Sequence, residues 1–155
     1  MREIKFRAKI KGHIGFIYGV PHNIYEDKDF QNKWFDSIQY CEGGEFLKEY
    51  IEENTLAQYT GIKDYSDKEI YEGDILSPIS SEGYPYLVKF DEGEFCLYSK
   101  FGRWGSISKM RPTCDKLNIK INVIGNIYEN PELWQDASLF YTVCYGFVLL
   151  INNFL

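Results

Sequence analysis

Apolar and charged residues alternate at the start of the chain. Ile4, Phe6, Ala8 and Ile10 interleave with Lys5, Arg7, Lys9 and Lys11, the period-two pattern of a half-buried strand. Gly12 interrupts it, and the apolar run from Ile14 to Val20 predicts the second strand of a hairpin before Pro21. The cations then share one face, read as a solvated face that discourages edge pairing in preference to an anion-binding stripe. From Pro21 to Gly44 the pattern is mixed, with a short strand expected around Trp34-Phe35, Ile38 and Tyr40 and a break at Gly43-Gly44. Phe46, Leu47, Tyr50 and Ile51 then recur at helical spacing opposite Lys48, Glu49, Glu52 and Glu53, which predicts a short helix ending near Asn54.

The stretch from Gln58 to Leu76 carries two glycines, Gly61 and Gly73, beside turn-forming residues. Glu69-Ile70-Tyr71 reads as a short strand. Gly73-Asp74 reads as a turn into Ile75-Leu76, because glycine takes a positive φ freely and an aspartate accepts backbone N–H groups at a corner. Tyr86, Val88 and Phe90 alternate, Asp91-Glu92-Gly93-Glu94 turns the chain, and Phe95 and Leu97 alternate back, the clearest hairpin in the sequence. Gly102 and Gly105 flank Arg103-Trp104 in a turn or kinked strand. Ile119, Ile121 and Val123 face one way with Ile124 and Tyr128 on the other, which predicts a central strand that Gly125 lets bend. Asn130-Pro131 has the order of a helix N-cap and first turn. Six or seven short strands joined by tight turns predict a small, strongly bent sheet or barrel with one or two short helices.

Composition sharpens this picture. At 155 residues, 45% hydrophobic and 17% aromatic, the chain is long enough for one ordinary domain with a good core. A net charge of −6 weighs against general nucleic-acid binding, which needs clustered Lys and Arg. Cys41, Cys96, Cys114 and Cys144 form no Cys-x-x-Cys pair, and no apolar leader follows Met1, so free thiols in a reducing cytoplasm are expected. Beyond Trp134 the run Leu139–Ile151 is almost entirely apolar but falls short of the roughly twenty residues of a membrane-spanning helix. Packing or oligomerisation is the preferred role for this tail, ahead of membrane contact.

A search for chemistry returns little. His13 and His22 have no metal-ligand partner at zinc-site spacing, and there is no nucleophile elbow, P-loop or dinucleotide-binding glycine pattern. The acidic concentration of Asp64, Asp67, Glu69, Glu72 and Asp74 lacks the loop spacing of a calcium site. No metal, cofactor or catalytic group is expected.

Three blocks resemble the YopX family of phage and prophage proteins. They are Arg2-Glu3-Ile4-Lys5-Phe6-Arg7-Ala8; Gln58-Tyr59-Thr60-Gly61-Ile62-Lys63-Asp64 with Lys68-Glu69-Ile70-Tyr71-Glu72-Gly73-Asp74-Ile75; and Val123-Ile124-Gly125-Asn126-Ile127-Tyr128-Glu129-Asn130-Pro131-Glu132-Leu133. Lys9-Ile10 stands where members typically carry Trp-Asp, and the apolar tail has no counterpart in the usual pattern. The resemblance implies an SH3-like β-barrel of phage or prophage origin in the bacterial cytoplasm, and it supplies no activity.

The resulting expectation is a mainly β fold: a single domain over 1–134, its barrel core over 58–130, followed by an apolar tail over 135–155. The preferred function is a non-catalytic interaction module presenting Tyr59, Tyr65, Tyr71 and Trp104, with Arg103 beside them, to a protein partner or to a second copy in a homo-oligomer. The alternative is a small nucleic-acid-binding barrel using Arg2, Lys5, Arg7, Lys9 and Arg103.

Overall fold

The computed structural model describes residues 3–22, 37–52, 54–78, 84–117 and 120–135. The expectations for Arg2, for Trp34-Phe35, for Ile119 and for the tail beyond Gln135 lie outside them. The fold is mainly β, with two antiparallel sheets and two short helices. The chain divides into two compact units, one of Met1–Ile62 with Glu69–Glu72 and the other of Lys63–Lys68 with Gly73–Leu155.

Among the described residues, the first sheet has six strands: β1 (Phe6–Lys9), β2 (Phe16–His22), β3 (Ser37–Glu42), β4 (Glu45–Tyr50), β5 (Ala57–Lys63) and β6 (Glu69–Tyr71), in the order β4-β3-β2-β1-β5-β6. The predicted hairpin is present, with Phe6 opposite Gly19 and Lys9 opposite Phe16. The segment expected to be a helix is instead strand β4, paired with β3 from Ser37↔Tyr50 to Glu42↔Glu45. Gly43 and Gly44, at φ 60° and 88°, form the two-residue turn that sets this register.

The sheet then curls back on itself. Ile51 bridges Ile10, Lys11 N–H donates to Tyr50 O at 3.2 Å, and Glu52 N–H donates to Lys9 O at 2.8 Å. Ala8, Ile38 and Ile51 are buried together inside the curl, with Ile17 and Leu56 against them. Burying an isoleucine side chain is worth about 2 kcal/mol, and this interior is what makes the curl stable.

The polar face expected for the first strand is solvated only in part: Lys11 is exposed, Lys5 and Lys9 are half-buried, and Arg7 is buried. Arg7 is only 4% exposed, and its guanidinium lies 4.4 Å from the Phe16 ring centroid and 4.6 Å from that of Tyr71. A planar cation stacks on aromatic faces, so the rings of Phe16 on adjacent β2 and Tyr71 on β6 draw it inward. Ile4, placed by the alternation on the core side, is exposed.

The second unit holds β7 (Asp74–Pro78), β8 (Tyr86–Asp91), β9 (Glu94–Ser99), β10 (Gly102–Ser106), helix α1 (Ile107–Leu117), β11 (Ile121–Asn126) and helix α2 (Pro131–Gln135), with strand order β10-β9-β8-β7-β11. The β8–β9 hairpin matches its expectation. Asp91 pairs with Glu94 across a turn in which Glu92 and Gly93 both take positive φ. The kink at Arg103-Trp104 is present as a break in the β9–β10 register between Arg103 and Gly105. Helix α1 buries Ile107, Met110 and Cys114 at helical spacing.

Strand β11, expected at the centre of the sheet, lies at its edge and pairs with β7. A loop rather than another strand occupies its outer side. Tyr65 N–H donates to Ile121 O at 3.1 Å, and Asp64 Oδ2 accepts the Val123 N–H at 2.9 Å. The bend at Gly125 is real, because the register shifts between Val123 and Gly125. A Cβ there would sit 2.6 Å from Asn130 Oδ1 and 2.7 Å from Leu133 Cδ1. Pro131 opens α2 as predicted. The turn before it is set by Asn126, whose Oδ1 accepts the N–H groups of Tyr128 and Glu129.

Candidate interaction surface

The five residues expected to make contacts fall into different environments. Tyr59 and Tyr71 are 6% and 1% exposed, so the expectation that they are presented to a partner is corrected. Both lie on strands of the first unit, packed with Ala57 in one cluster with ring centroids 5.4 Å apart. The Tyr71 hydroxyl donates to Glu69 Oε2 at 2.7 Å, and Lys5 Nζ lies 2.5 Å from the other Glu69 oxygen. Burial first, and then the Glu69 carboxylate, push the Tyr71 phenol far above its ordinary range. Both tyrosines are core residues, and Glu69 satisfies the polar tip of Tyr71.

Tyr65 is exposed, with Lys120 Nζ 4.7 Å from its ring centroid. It stands against β11, at one edge of the second unit's sheet, whereas Trp104 belongs to β10 at the other. The set chosen from sequence is therefore dispersed.

Trp104 does have aromatic company. Its ring centroid is 5.3 Å from that of Tyr86, and Phe101 is 5.6 Å from Tyr84 in an edge-on arrangement. Trp104 is 51% and Phe101 76% exposed, while Tyr84 and Tyr86 are half-buried beneath them. Tyr84, just before β8, and Tyr86, its first residue, are two apart, a spacing whose signal sequence reasoning did not extend to Phe101.

Arg103 is tied up rather than free. Its Nη1 donates to Glu92 Oε2 at 2.9 Å and its Nη2 to Glu94 Oε1 at 2.7 Å, with Asp91 Oδ2 3.9 Å from Nε. Nε and Nη2 also donate to Cys96 Sγ at 3.2 and 3.1 Å. The sulfur contact first, and then the carboxylates of Glu92 and Glu94, hold the guanidinium charged even more firmly than usual, against the opposing cost of desolvation. Asp91 in turn accepts from the Tyr98 hydroxyl, which raises the tyrosine's affinity for its proton. A guanidinium fork suits such a cluster because it satisfies two carboxylates at fixed angles.

Beside this cluster lies an open depression of about 370 Å³, lined by Glu94, Arg103, Trp104, Gly105, Ser106 and Lys109. It is at the small end of ligand-binding volumes and does not enclose its contents.

Two acidic residues of the central stretch, Asp64 and Asp74, are buried. Asp64 is 4% exposed, and its Oδ1 accepts the N–H groups of Ser66 and Lys68. Asp74 is 1% exposed at the start of β7. Among the described residues, no group of three or more His, Cys, Asp and Glu is arranged to hold a metal ion, and no helix is long and apolar enough to cross a membrane.

A family model described as YopX protein matches residues 5–135. Among solved structures, the chain is similar to the crystal structure of protein EF1440 from Enterococcus faecalis, at 21% identity and a TM-score of 0.50. That similarity covers 86% of this chain and 99% of the other. It bears on the fold alone. No curated protein matches the chain.

Proposed function

The chain belongs to the YopX protein family, and on that premise we propose that it is a non-catalytic interaction module of phage or prophage origin. It works in the bacterial cytoplasm and docks a protein partner, or a second copy of itself, through the aromatic strip of the second unit. One observation carries this reading: exposed Phe101 packs edge-on against Tyr84, exposed Trp104 packs against Tyr86, and Trp104 lines a shallow depression. Exposed aromatics held in place by neighbouring rings give large contact area at low entropic cost. On this reading the second unit's sheet, bent in the SH3-like way that the family resemblance implies, is the rigid scaffold for the strip.

The nucleic-acid alternative loses support from the cations it relied on. Lys5 pairs with Glu3 and Glu69, Lys9 lies 3.9 Å from Glu52, Arg7 is buried, and Arg103 faces carboxylates. Cations already neutralised release few counterions from a phosphate backbone.

Affinity capture from phage-bearing cells with wild-type bait and a Phe101→Ala, Trp104→Ala bait tests the proposal. A defined protein retained by the wild type and lost with the variant supports it. Identical retained sets, or retention of nucleic acid that weakens with salt, oppose it.

A further inference from the structure

We draw no further inference here: the strongest candidate, the exposed apolar patch of Tyr18, Val20 and Phe46 on the outer face of the first unit's curled sheet, carries nothing because nothing in the structure shows what covers it.

Discussion

Asp64 and Val123, 59 positions apart, are joined by a hydrogen bond of 2.9 Å from the Val123 N–H to Asp64 Oδ2. The other carboxylate oxygen holds the N–H groups of Ser66 and Lys68 at 2.8 and 3.0 Å. One buried side chain thus closes its own turn and covers the edge of β11. Both of its oxygens are engaged by backbone donors, which is why this acidic residue of the central stretch reads as architecture.

Asp64→Ala leaves three backbone donors without this acceptor, and it is expected to lower unfolding free energy by about 3 kcal/mol. Asp64→Asn keeps one acceptor oxygen and is expected to cost about half as much. Urea unfolding of the full chain measures both. A loss below about 0.5 kcal/mol in the alanine variant contradicts the architectural role.

Gly125 and Gly93 separate two reasons for glycine. A Cβ at Gly125 collides with Asn130 and Leu133, whereas a Cβ at Gly93 meets open space but needs φ +83°. Gly125→Ala is expected to cost about 1–3 kcal/mol through overpacking. Leu133→Ala in the same chain should recover part of that loss by removing one of the two obstructing atoms. Gly93→Ala is expected to cost about 1 kcal/mol through backbone strain, with no rescue by any neighbour. Thermal or urea denaturation of the singles and the double variant decides.

Much of the β order was legible, because turn chemistry is local. Gly73-Asp74, Glu92-Gly93 and the bend at Gly125 each depend on a glycine conformation or close approach visible in a few residues. Phe46–Ile51 misled because six residues are too few to tell a 3.6-residue period from an alternating one. Pairing with β3 decided the outcome, and Gly43-Gly44 was already a hairpin turn. Helix α1 gave no warning, since Pro112 inside it removes a donor and argues against helix locally. The burial of Arg7, Tyr59 and Tyr71 depends on which strands become neighbours, and no local pattern records that. The exposure of Trp104 was expected, whereas that of Phe101 was hidden for the same reason.

The Tyr71–Glu69 contact should show itself in alkali. The folded phenol is pushed up by burial and by Glu69, so the unfolded chain loses its proton first, from about pH 10. The stabilisation from Tyr71 is therefore whole below that pH and declines as pH rises towards the folded value. Tyr71→Phe is expected to cost about 1 kcal/mol near neutrality, and the gap from wild type should narrow above about pH 10. Urea unfolding at a series of alkaline pH values reads this out. A constant gap would mean that the phenol titrates alike in both states.

The thiols should divide by exposure. Cys41 is exposed, while Cys96 and Cys114 are buried, and burial also raises the proton affinity of the Cys114 thiol. A thiol reagent applied to native protein at pH 8 is expected to modify Cys41 promptly and the other two only on unfolding. Peptide mapping by mass spectrometry assigns each site. Prompt modification of Cys96 would show that the Arg103 cluster does not cover it.

The most direct test of the interaction surface is a photo-crosslinking residue placed at position 101 in the full chain expressed in bacterial cells, with position 4 of the other unit as the exposed control. The account predicts one defined covalent protein adduct from position 101 and none of the same identity from position 4. No adduct at 101, the same adduct from both positions, or an adduct to nucleic acid would contradict it.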